Sequence, residues 1–236
     1  MNAIATAELR MLVRNRLVAF CAILIPLALG AVFLVNVKPG EPISLLVSLQ
    51  LMVMMGMGVY VTGTTTLAAR RQTLFLKRLR SGAVSDTSII GGLIGPIVLV
   101  NLVQIAAILV AVGFAAQTLP PNAWLLVVTV FALEIMFAGF ALATAGVTNS
   151  PEHAQVTTLP IFFLSIGVPF WVALTGTEGL GFLKQWLPGG SVPQLMELAW
   201  EGGDASGAVW LILPMLIWAT VAIVAARIMF RWEPRA

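Results

Sequence analysis

Apolar and polar positions along this chain form long charge-free apolar runs separated by short polar connections. The runs that can form membrane helices cover residues 17–37, 43–69, 89–116, 123–147, 151–174 and 208–226. About 20 residues of α-helix cross the hydrocarbon core of a membrane, which is roughly 30 Å thick. Backbone groups in lipid must be satisfied within the segment, which favours helices. The pattern predicts an all-α polytopic membrane protein with six transmembrane helices in a single domain, residues 1–236.

Cap and breaker residues refine the fifth span. Ser150, Pro151 and Glu152 are typical of a helix start, because they supply a capping side chain, a proline in the first turn and an acid at the positive helix end. Further along, Gly167 and Pro169 interrupt the apolar run, and proline removes a backbone donor. We therefore predict that the fifth helix is broken near these two residues.

Residues 175–207 form a connection with its own helix signal. Ser191 and Gln194 have the spacing of a capping box, and glycines at 202 and 203 can end the helix. These features predict a short helix from about Val192 to Trp200. Two placements are open: the helix lies on the outer membrane surface, or it dips into the bundle as part of a gate.

The composition excludes a water-soluble domain. Of the 236 residues, 59% are hydrophobic and only 10% are charged, whereas soluble domains carry about 25% charged residues. The net charge of +3 does not indicate nucleic-acid binding, because that function needs basic residues clustered on one solvated face. Here the basic residues lie between apolar runs.

The basic residues also predict an orientation. All but Lys38 and Lys184 of the 13 lysines and arginines precede the first run, separate the second from the third, or follow the sixth. Cytoplasmic connections are rich in lysine and arginine, so both termini are predicted to be cytoplasmic. The connection that contains Glu152 and His153 has no basic residue, and its cytoplasmic placement depends only on the even number of spans.

Catalytic motifs are missing from the sequence. There is no G-x-x-x-x-G-K-[ST] loop for phosphate and no G-x-S-x-G motif, and one histidine with one cysteine cannot form a zinc site. We predict a non-catalytic chain that binds no cofactor and no metal.

The connection between the second and third runs is a basic amphipathic segment, ARRQTLFLKRLRSG, beginning at Ala69. At 100° per residue, its apolar side chains fall on one helical face and most of its basic ones on another. The segment either anchors the topology by pairing with lipid phosphates, or docks a partner protein through otherwise exposed apolar groups. The residues predicted for docking are Arg70, Arg71, Gln72, Phe75, Leu76, Lys77, Arg78, Leu79 and Arg80.

Two apolar runs, this LKRLRSG-containing connection and a third run resemble the permeases of type-two ABC exporters, which include drug and polysaccharide exporters. The N-terminal ELRMLVRNR resembles the amphipathic elbow helix of that family. LPIFFLSIGVPFW and the later QWLPGGSVPQL resemble its fifth-span region and outer hairpin. The resemblance implies an elbow helix in residues 1–16 and a coupling loop in residues 70–86 that seats in a separate ATPase subunit.

The resemblance also implies partners. ATP and Mg²⁺ would be bound by two copies of the ATPase subunit, and a second permease copy, more commonly an identical one, would complete the pathway. The complex would sit in a bacterial plasma membrane and export a hydrophobic or amphipathic molecule, such as a drug, a lipid or a natural product, by alternating access.

Glu134 is the one ionisable residue well inside a run. A carboxylate in the membrane should face the bundle interior. The polar residues in other runs that can hydrogen-bond with it are Gln50, Asn101 and Gln104. Glu134 either belongs to a substrate path or a proton-sensitive gate, or only forms an interhelical hydrogen bond.

Two other functions remain open. A stand-alone secondary transporter or channel would use Glu134 as its coupling or selectivity group. A haem-export or assembly-type membrane factor has less support, because the sequence lacks histidines for the outer face.

Overall fold

The computed structural model describes residues 5–8, 10–11, 23–82, 84–176 and 178–233. The described chain is helical and contains no strand. Five helical segments are long and apolar enough to cross a membrane: Ser44–Gln72, Asp86–Ala116, Ala123–Val147, Pro151–Thr175 and Ala205–Met229. These segments make the chain an α-helical protein of the polytopic membrane type.

The α-helices are numbered in chain order. They are α1 (Ile25–Val35), α2 (Ser44–Met55), α3 (Thr62–Gln72), α4 (Phe75–Arg80), α5 (Asp86–Ala116), α6 (Ala123–Val147), α7 (Pro151–Thr157), α8 (Leu159–Thr175), α9 (Gly181–Trp186), α10 (Val192–Trp200) and α11 (Ala208–Met229). A π-helix, Gly56–Val61, joins α2 to α3 without a break. A short 3₁₀ turn, Ala205–Gly207, precedes α11.

The ends of the second to sixth predicted spans lie within about three residues of the helix ends. The fourth span, 123–147, matches α6 residue for residue, and the others differ from the structure by a few residues. The first predicted span is the exception, because residues 17–22 lie outside the described residues. Its described helix, Ile25–Val35, has 11 residues, which is too short to cross a membrane alone.

The fifth span is interrupted at a different place from the one predicted. Helix α8 continues through Pro169, so the predicted break near Gly167 and Pro169 is wrong. The discontinuity lies at Thr158, between α7 and α8. Pro160 follows closely and has no N–H to continue the hydrogen-bond ladder. At the start of α7 the Ser150 side chain accepts a hydrogen bond from the His153 amide, which confirms the predicted cap.

The centre of the bundle is formed by α6 and by the continuous α2, π-helix and α3 segment, which are mostly buried. Helices α5, α8 and α11 present most of their surface outward. Helices α6 and α11 approach each other closely, so that a Cβ placed on Gly139 would lie 2.8 Å from the Ala222 carbonyl carbon. Small residues let membrane helices approach this closely.

Helix α10 has the predicted bounds but not the surface position. Val192, Leu195 and Ala199 are fully buried in the main apolar core, and the Trp200 indole donates a 3.0 Å hydrogen bond to Thr118 Oγ1. The interpretation that α10 lies on the membrane surface is therefore wrong, because the helix packs within the bundle. The predicted capping box is also wrong, since the Ser191 side chain forms no cap bond.

Polar contacts fix both ends of the segment between α8 and α11. The buried Lys184 ammonium donates to Thr175 Oγ1 and to the Gly176 carbonyl, both at 2.8 Å, and thereby ties α9 to the last turn of α8. Before α11, the Asp204 carboxylate accepts hydrogen bonds from the backbone N–H and the hydroxyl of Ser206. Both bonds lower the pKa of Asp204, the backbone one most. The sequence identified Lys184 only as an isolated basic residue.

Candidate functional site

The basic connection contains two helices rather than one. Residues 70–72 end α3, and α4 begins at Phe75. Leu74, between them, has a φ of 56°, in the left-handed region that residues with a side chain seldom adopt. This turn changes the direction of the chain, so the helical face predicted for a continuous segment is not formed.

The apolar side of α4 packs against the protein itself. Leu76 is fully buried in a small cluster with Leu67, Ile89 and Leu93. Phe75 and Leu79 are partly buried against the same cluster. The expectation that this apolar side is exposed for docking is therefore wrong for Leu76, while Phe75 and Leu79 keep only part of their surface exposed. Leu74, in the turn, is the apolar residue of this connection that is most exposed, at 47%.

Arg71 has a structural position instead of an exposed one. Its side chain is 2% exposed. The guanidinium donates to the Gly146 carbonyl at 3.1 Å and to the Thr148 carbonyl. This corrects its assignment to the docking surface, because the group is enclosed by the protein. These bonds also show that the α6–α7 connection lies at the same end of the bundle as the basic segment. The sequence could not indicate this by charge, because that connection has no lysine or arginine.

Other charged residues form ion pairs at the end of the bundle that contains the basic connection, which we call the basic end. Arg70 forms a bidentate pair with Glu8, with both N–O distances 2.9 Å. On the far side of α4, Arg80 lies 3.2 Å from Asp86, and Lys77 lies 3.2 Å from Glu233. Residues near both ends of the chain therefore contact the basic connection: Glu8 pairs with the end of α3, and Glu233 pairs with α4. Of the predicted elbow helix, residues 1–16, residues 1–4, 9 and 12–16 lie outside the described residues.

Five exposed residues, at the end of α3, in the turn and on α4, define one surface, which we call the docking face after the docking predicted for this connection. Unlike the apolar side, it points away from the bundle. Its members are Gln72, Leu74, Lys77, Arg78 and Arg80.

A second polar group lies inside the bundle, around the π-helix. The wider turns of a π-helix interrupt the regular i to i+4 bonding, so carbonyl groups need other partners. The Asn101 side-chain amide donates to the Met54 carbonyl at 2.8 Å, and the Thr62 hydroxyl donates to the Met57 carbonyl at 2.9 Å. A Cβ on Gly58 would collide with the Asn101 amide. Glycine at this position therefore permits the close approach of α5 to the π-helix.

The other predicted polar residues are also interior. Gln50 donates its amide to the Pro26 carbonyl at 3.2 Å and so joins α2 to α1. Gln104 is buried on α5, one turn beyond Asn101. Tyr60, for which the sequence predicts no role, shares a 3.0 Å hydrogen bond with the Thr144 hydroxyl. The interior thus carries polar groups from α2, the π-helix, α5 and α6.

Glu134 is buried on α6 with 3% of its surface exposed. Neither carboxyl oxygen has a hydrogen-bond partner among the residues that the structure describes. Gln50 and Asn101, two of its predicted partners, donate their amides to backbone carbonyls instead. The expected bonds to these two residues are therefore not formed. A buried polar group without a partner lowers the stability of the fold by about 1–3 kcal/mol. The buried carboxyl of Glu134 therefore destabilises the bundle.

The methionines near the π-helix are packed. Met52, Met54 and Met55 are fully buried in the main core. Their burial is that of a packed core, not of side chains that line an open path.

Comparison of this chain with models of known protein families and with characterised proteins found no match.

Proposed function

We propose that this chain is the transmembrane subunit of an ATP-driven exporter of the type-two ABC family, with the ATPase on a separate polypeptide. The observation that supports this most is the geometry of α4. Its apolar side is fixed to the bundle by Leu76, and its basic side, including Lys77 and Arg78, is exposed. A short helix held rigidly on one side and open on the other is suited to receive a partner.

The contacts at the basic end would carry motion from such a partner into the bundle. Leu76 packs against residues of α3 and α5. Arg71 joins the end of α3 to the α6–α7 connection. A displacement of α4 would therefore reach the second, third, fourth and fifth membrane helices together, as alternating access requires.

The remaining parts of the proposal follow the family. Two permease copies with six spans each, the first including residues 17–37, would form the pathway in a bacterial plasma membrane. The basic end would face the cytoplasm, and two ATPase subunits would bind ATP and Mg²⁺. The cargo would be hydrophobic or amphipathic, in keeping with an interior lined mainly by apolar side chains.

The docking face can be tested by charge reversal. We expect Leu74→Asp combined with Arg78→Glu to reduce recovery of an ATPase with the tagged chain, in mild detergent, by about tenfold or more, because like charges at an interface oppose binding. Both side chains are exposed, so the fold should be retained. Aspartate at Leu76 would be uninformative, since that residue is fully buried.

Leu180→Asp combined with Arg231→Glu provides the matched control. These residues are also exposed but lie outside the docking face. Equal recovery of the ATPase with both double variants would refute docking at α4. Recovery of no ATPase with the unchanged chain would refute the family proposal itself.

A second candidate function is a stand-alone secondary transporter, and the partnerless carboxyl of Glu134 favours it. Buried carboxylates in membrane helices often belong to ion pathways. Vesicles that contain only this chain distinguish the two functions. The exporter proposal predicts no uptake driven by an ion gradient. Uptake that is abolished by Glu134→Gln and kept by Glu201→Gln, at an exposed outer position, would replace it with the transporter.

A further inference from the structure

A groove with a volume of about 610 Å³ lies between α5, α6 and α11 and is open to the surroundings of the bundle. We call it the membrane groove. Small residues widen it: Gly95 is exposed, and a Cβ at this position would meet no atom within 4 Å. Its lining is otherwise almost entirely apolar, with Asp86 and Arg227 at one end. The apolar lining includes Ile90, Ile94, Val98, Ile135, Leu142 and Ile223.

The groove has the length of one membrane leaflet. On α5 its lining runs from Asp86 to Val98, which corresponds to about 18 Å at 1.5 Å per residue. Half of the hydrocarbon core is roughly 15 Å. Ile135, its innermost residue on α6, lies at the middle of that helix. The groove therefore starts at the basic end and stops near the centre of the membrane.

The chemistry of the polar end favours an anion. Asp86 lies 3.2 Å from Arg80 and is thereby neutralised. Arg227 is exposed, and within the described ranges its guanidinium has no ion pair or hydrogen bond. Phe230 and Trp232 pack edge to face beside it, with centroids 5.3 Å apart. Aromatic rings with an arginine are typical of the headgroup region of a membrane.

We propose that the membrane groove binds an anionic phospholipid, with an acyl chain along α5 and the phosphate on Arg227. The inference does not depend on the exporter proposal. A leaflet-long apolar groove fits a lipid tail, whereas a membrane helix of a second copy would extend over the whole thickness. The second copy would also leave the Arg227 charge at its interface unpaired. Basic pockets between membrane helices are suited to anionic headgroups.

The test measures lipids retained by the purified chain with native mass spectrometry. The protein is extracted from vesicles with equal amounts of phosphatidylglycerol and phosphatidylcholine that carry the same acyl chains. We expect the unchanged chain to retain phosphatidylglycerol in about fivefold preference, the effect of one basic residue at a membrane surface. Arg227→Gln should remove this preference, whereas Arg231→Gln, at an exposed position outside the groove, should keep it.

A second pair of variants tests the apolar part. Gly95→Leu fills the groove and should reduce retention of both lipids. Gly167→Leu is the control, because Gly167 is an exposed glycine on α8 where an added Cβ would also meet no atom within 4 Å. Equal preference in Arg227→Gln and Arg231→Gln would overturn the proposal, as would equal retention in Gly95→Leu and Gly167→Leu. A dimer dissociated by Gly95→Leu with unchanged lipid retention would assign the groove to a second copy.

Discussion

A Gly139→Leu variant is expected to lose about 3 kcal/mol of stability, at the upper end of the range for overpacking. The physical reason is the crossing of α6 and α11. A Cβ on Gly139 would lie 2.8 Å from both the carbonyl carbon and the Cβ of Ala222. Backbone atoms cannot rotate away as a flexible side chain can, so the two helices must separate. Thermal unfolding in detergent, followed by the fraction of monodisperse protein, measures the loss.

Gly167→Leu is the control for this prediction. It makes the same exchange on another membrane helix, at a glycine whose added Cβ meets no atom within 4 Å. The control should unfold at the temperature of the unchanged chain. If both variants unfold at the same temperature, the close contact of α6 with α11 is not a determinant of stability.

Arg71→Met is expected to have a comparable effect, about 3 kcal/mol, because it removes two hydrogen bonds from a charged donor in a buried site. The carbonyl groups of Gly146 and Thr148 would lose these bonds. Methionine retains much of the side-chain length, so the change mainly removes the guanidinium. The variant should have a lower unfolding temperature and faster amide exchange in α3 and at the α6–α7 connection.

Arg78→Met serves as the matched control for Arg71→Met, since Arg78 is an exposed member of the docking face. This control should keep the unfolding temperature and weaken recovery of the ATPase. The opposite result, with Arg78→Met less stable than Arg71→Met, would contradict the structural position of Arg71.

The long helices were predictable because their signal is strong and local. For α6, residues 123–147 form a run whose sole charged residue is Glu134, and the helix has the same bounds. Hydrophobic length alone identifies such a segment, since the membrane requires it. The start of α7 was predictable for a different reason, because Ser150 supplies a local hydrogen bond.

The basic segment was predicted less well because its geometry depends on one backbone angle. Leu74 adopts a left-handed conformation, and leucine gives no sequence signal for it. A continuous helix through this position places Arg71 and Arg78 on a common basic face. The actual turn puts Arg71 inside the protein and leaves Arg78 outside.

The hydrogen-bond partners of the interior polar residues also could not be predicted from the sequence pattern. Asn101 and Gln50 could be recognised as buried polar residues, but their acceptors are the carbonyl groups of Met54 and Pro26. The Met54 contact lies beside a π-helix, and the apolar run around Gly56–Val61 carries no mark of one. The buried position of Lys184 likewise depends on a tertiary meeting of α9 with the end of α8.

The π-helix at Gly56–Val61 has a consequence for the counting of residues along the second membrane helix. Each residue of an α-helix advances the direction of its side chain by about 100°, whereas the wider turns of a π-helix advance it less. The six residues of this segment therefore cover a smaller rotation than six α-helical residues would. If the same residues formed regular α-helical turns, α3 would be rotated further about its axis, and Arg71 would point away from the carbonyl groups of Gly146 and Thr148. The winding of this segment, and not only the identity of its residues, therefore determines which helices the basic end joins.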